Sequence, residues 1–156
     1  MSEYILDLRK IVGHRPLLQV GASVIVIDSD GRILLQKRRD NGLWGYAGGS
    51  VELDEAVDAA AKRELFEETG LAAEELELFD VFSGKSLHYI YPNGDEVSNV
   101  DIVYICRRWS GTLSPQASEV VELRFFAHEE MPPQTELTPP NRPALKKLLD
   151  GICGRI

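Results

Sequence analysis

The segment that decides the fold is "GGSVELDEAVDAAAKRELFEETGL", residues 48–71. Its middle is rich in alanine and charged residues, and single or paired glycines mark both ends. Alanine favours helix and glycine ends it, so we predict a helix over residues 55–69 that stops at Gly70. We expect the carboxylate of Asp54 to cap this helix, with Glu55 in the first turn, where negative charge is favourable.

Three glutamates are crowded on this helix. Side chains three and four residues apart share a helix face, so Glu64, Glu67 and Glu68 point roughly together. Arg63 is spaced to pair with Glu67, but an exposed pair of this kind contributes only about 0.3–0.5 kcal/mol. One interpretation is a solvated acidic face. The other is a site for a hard cation, because Mg²⁺ and Mn²⁺ prefer oxygen ligands.

The two glycines before the helix favour the cation site. Glycine lets the backbone approach a ligand closely and leaves its carbonyl exposed. The carbonyl of Gly49 is therefore a candidate ligand in addition to the three carboxylates.

The spacing of these residues resembles the Nudix box, G-x5-E-x7-R-E-U-x-E-E-x-G-U, where U is a bulky aliphatic residue. The resemblance extends over roughly residues 18–130, and it implies an α/β fold, the Nudix-type α/β/α sandwich with a mixed sheet. Every fixed position of the box is matched, by Gly49, Glu55, Arg63, Glu64, Leu65, Glu67, Glu68, Gly70 and Leu71.

The resemblance also implies an activity. Nudix enzymes hydrolyse a nucleoside diphosphate linked to another moiety, and they use Mg²⁺ or Mn²⁺. The alternative is a catalytically silent Nudix-fold module that binds a nucleotide or regulates, but such a module would have lost box acids and none is lost here. Carried onto this chain, the metal ligands are Glu64, Glu67, Glu68 and the Gly49 carbonyl, with Glu64 alternatively the general base, and the supporting residues are Arg63, Glu55 and Gly48.

A further acid outside the box often serves this family as base or ligand. The candidates are Glu119 and Glu122 in "ASEVVELRFF". We favour Glu119, which precedes the apolar strand, over Glu122. A loop glutamate in water is the alternative for Glu119.

Basic and aromatic residues upstream of the box are candidates for substrate contact. Lys37, Arg38 and Arg39 end a predicted strand and could meet phosphates, or they could be a solvated strand end. Trp44 and Tyr46 could stack on a base or sugar, or they could belong to the core.

The chain departs from the common pattern of the family at two positions that the box motif does not specify. Ala47 replaces a usual proline, which should leave the loop looser. Asp54 replaces a usual glycine, and aspartate tolerates a positive φ better than most residues. Downstream of the box, Ser86 stands where proline hints at ADP-ribose, and Tyr89 stands where tyrosine hints at dinucleoside polyphosphates. The substrate within the class stays open.

The rest of the chain fits one domain spanning residues 1–156. We expect an N-terminal arm over about 1–16, helical or extended at 3–12, and a C-terminal helix over about 143–153. The turn "DSDG" is predicted to join its flanking strands as a hairpin, and "PNGD" is a second hairpin signal. Predicted strands are residues 17–28, 32–38, 76–84, 87–91, 99–109 and 119–127.

Composition limits the partners and the compartment. The net charge of −8 repels nucleic-acid backbones and anionic membranes, so we expect a small nucleotide substrate and neither of those partners. Cys106 and Cys153 are too few for a disulfide scaffold, and we expect reduced thiols in a cytoplasmic protein. Homodimers are common in the family, so a second copy of the chain is a candidate partner. The three histidines, at positions 14, 88 and 128, receive no role.

Overall fold

The computed structural model describes residues 2–153, which form three α-helices and eight strands joined by turns and short 3-10 segments. Of the two forms left open for residues 3–12 the structure has the helix, and the last helix begins one residue before its predicted start. The helices are α1 Glu3–Val12, α2 Val57–Thr69 and α3 Arg142–Cys153. The strands are β1 Leu17–Val26, β2 Ile33–Arg38, β3 Trp44–Gly45, β4 Ala47–Ser50, β5 Leu71–Phe82, β6 His88–Ile90, β7 Glu96–Gly111 and β8 Val120–Phe126.

The strands form two sheets. The larger sheet is mixed and has the order β4-β1-β7-β5, with β6 also paired to β7. Only β1 and β7 run parallel in it, residues 17–26 beside 97–106. The smaller sheet is antiparallel, in the order β3-β2-β8. The predicted β1–β2 hairpin is therefore wrong. A single bridge joins Ile27 to Ile33, after which β2 pairs with the distant β8 instead of β1.

Helices cover the sheets on both sides, as the α/β/α sandwich requires. Side chains alternate along β1 because successive residues of a strand point to opposite faces. Val24 and Val26 pack with Ala61 and Leu65 of α2 in one buried cluster. Ile25 packs on the other side, in the buried cluster that contains Leu145 and Leu148 of α3 and the rings of Trp44, Tyr46 and Phe126. The predicted fold class is confirmed.

The box helix α2 ends as predicted and begins differently. Gly70 adopts the left-handed conformation, with φ of +79°, and its N–H donates to the carbonyl of Phe66. At the other end the helix begins at Val57, and its N-cap is Ala56 without a side-chain cap. The predicted cap at Asp54 is wrong because Asp54 itself has a φ of +61° and lies in the turn before the helix. That conformation explains why glycine is common at this position.

The "PNGD" turn is confirmed between β6 and β7. The N–H of Tyr91 donates to the carbonyl of Asp95, and the N–H of Gly94 donates to the carbonyl of Tyr91. Within residues 2–153, no helix combines the length and apolar character needed to cross a membrane.

Candidate functional site

The main cleft lies where α2 and β4 meet the end of β2. Its volume is about 420 Å³. Five of the predicted site residues outside the helix reach it: Arg38, Arg39, Gly48, Gly49 and Glu119. The complete lining is Gln19, Arg38, Arg39, Asp40, Gly48, Gly49, Ser50, Glu64, Glu68, Tyr91, Pro92, Asn93, Ser118 and Glu119.

The two glycines of β4 allow the acids of α2 to approach the sheet. A Cβ on Gly49 would overlap the carboxyl group of Glu64, so glycine is required for the observed position of that carboxylate. A Cβ on Gly48 would overlap the side chain of Ser23 and come within 2.9 Å of its Cα on the neighbouring strand. Gly49 therefore makes room for the carboxylate of Glu64, and Gly48 makes room for Ser23 of β1.

Glu68 is the most strongly perturbed acid of the cleft. Its side chain is buried and accepts hydrogen bonds from the Nε2 of Gln36 and, at 3.4 Å, from the backbone N–H of Gly48. Burial raises the pKa of Glu68 to about 8, and the nearby charges of Glu64 and Glu119 add to that rise. An acid surrounded by acids in this way favours a proton or a cation.

Glu64 is also buried, and burial raises its pKa against the opposing effect of Arg63. The guanidinium of Arg63 donates to Glu64 at 2.8 Å and to both oxygens of Glu55 at 2.8 and 2.9 Å. Arg63 also donates to the carbonyl of Ser50 at 3.2 Å. Arg63 and Glu55 thus orient the carboxylate of Glu64, the supporting arrangement predicted from the sequence.

Glu67 has a different environment from the other two box acids. Its side chain is 48% exposed and lies 3.4 Å from a guanidinium nitrogen of Arg63. Glu64 and Glu68 line the cleft, whereas Glu67 does not. Glu67 as a metal ligand stays a prediction.

The structure separates the two candidates for the further acid. Glu119 lines the cleft, and its N–H donates to the carbonyl of Gln116 while its carbonyl accepts from the N–H of Arg39. Glu122 stands opposite Lys37 on β8, where its side chain lies 3.7 Å from Arg124. Its position on β8 directs it away from the acids of α2.

The basic residues at the end of β2 point to opposite faces. Arg38 faces the cleft, where it donates to Asp40 at 2.7 and 2.9 Å and its guanidinium lies 5.7 Å from the ring of Tyr91. Lys37 faces the other way, with its Nζ 5.9 Å from the Trp44 ring. Strand alternation explains the split, so Lys37 does not line the cleft.

The aromatic pair lies in the core, which is one of the two roles left open for it. Trp44 is buried and packs edge-on against Phe126 with ring centroids 4.9 Å apart. Tyr46 is buried too, and its hydroxyl donates to Asp101 at 2.9 Å. Tyr46 nevertheless borders a second cavity, of about 100 Å³, that shares Arg38, Gly48 and Gly49 with the main cleft.

Sequence reasoning missed two buried polar residues, one beside Glu68 and one at the second cavity. Gln36 reaches Glu68 from β2, and Asp101 accepts from Ser23 Oγ at 2.6 Å. The sequence marks each of them only as a polar residue within an apolar strand, and a polar residue in such a place has many ordinary explanations. In the second cavity, the side-chain oxygens of Gln36 and Thr138 are buried without a hydrogen-bond partner among the residues that the structure describes.

The donor set of the cleft suits a hard divalent cation. Carboxylate and carbonyl oxygens are the ligands such ions prefer. The raised pKa of Glu68 reflects its burial first and then the like charges of Glu64 and Glu119, which a cation would neutralise. Over residues 2–153, no three or more Asp, Glu, His or Cys side chains are gathered closely enough to hold a metal as they stand. In this arrangement Glu64 accepts a hydrogen bond from Arg63, and Glu68 accepts one from Gln36.

Comparison with known proteins identifies the family of the chain. The family model described as NUDIX domain matches residues 17–148. A MutT-like protein of Streptomyces ambofaciens is 43% identical over 74% of this chain and 68% of its own length. The ADP-ribose pyrophosphatase of Methanocaldococcus jannaschii is 33% identical over 84% of this chain and 76% of its own.

A solved structure of a NUDIX hydrolase is also similar to this chain. The crystal structure of a MutT NUDIX hydrolase from Burkholderia pseudomallei is 33% identical to this chain, with a TM-score of 0.69 over 83% of this chain and 97% of the other. The chain belongs to the NUDIX family and is a hydrolase that acts on phosphoric anhydride bonds.

Proposed function

We propose that the protein hydrolyses a pyrophosphate bond in a nucleoside diphosphate linked to another moiety, with Mg²⁺ or Mn²⁺ as its cofactor. The observation that carries the proposal is the meeting of Glu64, Glu68 and Glu119 in one cleft that Arg38 and Arg39 also line. Acids at one side can hold a divalent cation, and guanidinium groups at the other suit the oxygens of a diphosphate.

The residues that would hold the cation are Glu64 and Glu68, with the carbonyl of Gly49, and with Glu67 completing the box set. A bound divalent cation neutralises charge on the diphosphate oxygens and makes an attacking water easier to deprotonate. Relatives with a MutT-like or ADP-ribose pyrophosphatase description support this reaction class.

The side chains around the cation site have separate roles in the reaction. Arg38 and Arg39 bind the diphosphate through their remaining N–H donors, which fixes the phosphorus opposite the acids. Glu119 accepts the proton of the attacking water, and Glu64 is the alternative base. Arg63 keeps Glu64 oriented through the 2.8 Å hydrogen bond, so that the carboxylate does not rotate towards the guanidinium groups of Arg38 and Arg39.

The second cavity offers a place for part of the substrate beyond the diphosphate. It joins the main cleft at Arg38, Gly48 and Gly49. The buried oxygens of Gln36 and Thr138 have no partner among the described residues, so a polar group of a ligand would satisfy them.

A substrate panel tests the proposal. ADP-ribose, a sugar nucleotide, a dinucleoside polyphosphate and an oxidised nucleoside triphosphate are each incubated with Mg²⁺, with Mn²⁺, and with excess EDTA. We expect hydrolysis of at least one of them with metal and none with EDTA. Full activity in EDTA contradicts the metal mechanism, and metal-dependent binding of the panel without any hydrolysis contradicts the proposed reaction.

A further inference from the structure

Helix α1 lies outside the part of the chain that the family model matches, yet it is attached to both walls of the cleft. The match begins at residue 17, whereas α1 spans Glu3–Val12. One attachment leads to the loop before α2, which carries Glu55. The other leads to the turn between β6 and β7, which carries Tyr91 and Asn93.

The first attachment is made by Glu52. Its carboxylate accepts hydrogen bonds from the backbone N–H groups of Glu3 at 2.8 Å and Tyr4 at 3.3 Å. These are among the N–H groups at the start of a helix that have no partner within it. The N-cap Ser2 uses its hydroxyl for a third such group, the N–H of Ile5. Glu52 therefore joins the start of α1 to the loop before α2. Its negative charge is favourable there because the start of a helix is the positive end of the helix dipole.

The hydrogen bonds continue from Glu52 into the site. The backbone N–H of Glu52 donates to Glu55 at 3.1 Å. Glu55 accepts from Arg63, and Arg63 donates to Glu64 at 2.8 Å. An unbroken series of polar contacts thus links α1 to a buried carboxylate of the cleft.

The second attachment is made by Arg9 on the same helix. Its side chain is only 9% exposed. It donates to the carbonyls of Gly13, Arg15 and Glu96 at 2.9, 2.6 and 2.7 Å. It also lies 3.7 Å from the carboxylate of Asp95.

His14, just after α1, adds to the second attachment, because its Nδ1 lies 2.7 Å from the carboxylate of Asp95. Asp95 closes the turn by accepting from Asn93 Nδ2 at 3.2 Å, while its N–H donates to the side chain of Asn93 at 2.9 Å. The position of the cleft wall at Tyr91 and Asn93 therefore depends on α1.

We propose that α1 is a brace that fixes the two walls of the cleft relative to each other, with Glu52 and Arg9 as its positioning residues. The proposal rests on the proposed function for its kinetic consequences only. Glu52 acts on the acids through Glu55 and Arg63, so its loss should lower turnover. Arg9 acts on the substrate wall, so its loss should weaken substrate binding. Neither residue lines the cleft.

The test compares Glu52→Ala and Arg9→Ala with the control Lys10→Ala. Lys10 lies on the same helix, but its side chain is 77% exposed and pairs with the neighbouring Asp7 of that helix. Glu52→Gln and Arg9→Lys keep an acceptor or a positive charge and guard against variants that fail to fold. Each protein is studied by hydrogen–deuterium exchange without metal, and by steady-state kinetics with Mg²⁺ and the best substrate of the panel.

We expect Glu52→Ala to lower kcat by about tenfold with little change in KM, and Arg9→Ala to raise KM by about tenfold with little change in kcat. Glu52→Gln should recover most of the lost kcat, because its amide oxygen still accepts from the helix. Exchange should rise at residues 50–55 in Glu52→Ala and at residues 91–96 in Arg9→Ala, while Lys10→Ala behaves as wild type.

Two results would overturn the brace. One is a lower melting temperature in both variants with kcat and KM equal to those of Lys10→Ala. The other is faster exchange confined to α1 itself. If the wild type hydrolyses nothing in the panel, the proposed function fails, and the exchange measurements still decide whether α1 holds the two walls.

Discussion

Glu68 and Asp101 are two buried acids with opposite surroundings. Each is 6% exposed, and burial raises the pKa of each. The oxygens of Asp101 accept from two hydroxyls, those of Ser23 and Tyr46. Glu68 accepts from Gln36 and Gly48 but also experiences the charges of Glu64 and Glu119, and its pKa rises to about 8.

Burial alone therefore does not distinguish a functional acid from a structural one. Asp101 has a neutral donor for each oxygen, an arrangement that connects β7 to β1 through Ser23 and to the residue between β3 and β4 through Tyr46. Glu68 faces like charges across a cleft, an arrangement that disfavours its charged form until a cation arrives. The groups around a buried acid decide whether it has a functional or a structural role, and each acid can be tested separately by substitution.

The largest effect is expected at Glu68. Glu68→Gln removes the charge that attracts the cation, so turnover should fall by roughly 10²-fold or more while the fold survives. Asp101→Asn removes a charge of equal burial, but outside the acid cluster, and should change kcat by less than about tenfold. The measurement is kcat for both variants with saturating Mg²⁺, with circular dichroism to confirm folding. Equal losses of kcat would remove the distinction between the two acids.

A smaller effect is expected at the further acid. Glu119→Gln should lower turnover by about 10–10³-fold, because it removes the proposed base from the cleft. Glu122→Gln is the matched control on the same segment, and its turnover should stay within about twofold of wild type, since Glu122 contacts Arg124 on the other face. The reverse order of the two variants would move the base from Glu119 to Glu122.

The smallest effect is expected in stability without metal. The folded-state pKa of Glu68 is raised from 4.5 to about 8, so the folded protein holds a proton that the unfolded chain releases. The free energy of unfolding should therefore fall as the pH rises from about 4.5 to 8.

Glu68→Gln should remove most of that loss, as measured by urea unfolding in EDTA at pH values between about 4.5 and 8. Asp101 causes a further loss of stability that begins at a lower pH, above 3.8, and this loss should remain in the Glu68→Gln variant. A pH dependence identical to wild type would mean that Glu68 is not the perturbed group.

Much of the fold and of the site was predictable because one motif carries several physical requirements at once. Gly70 ends α2 through its positive φ, and Gly49 makes room for Glu64, so both positions accept glycine alone or nearly so. Glu119 was preferred over Glu122 from its place before the strand, and the structure places it in the cleft. The catalytic role of Glu119 stays a prediction.

The remainder depended on contacts between distant segments. The β1–β2 hairpin failed because β2 finds its partner in β8, some ninety residues on, and no local signal reveals that choice. Asp54 looked like a helix cap, but its positive φ serves the turn instead. The role of Gln36 beside Glu68, and the attachment of α1 through Glu52, appear only when the chain is folded.

The central claim is that the acid cluster around Glu68 binds a divalent cation. The most direct measurement is the shift in melting temperature that Mn²⁺ causes in the wild type, in Glu68→Gln and in Asp101→Asn. A ligand that binds the folded state stabilises it, so Mn²⁺ should raise the melting temperature of the wild type and of Asp101→Asn, and far less that of Glu68→Gln. No shift in the wild type, or an equal shift in Glu68→Gln, would contradict the account.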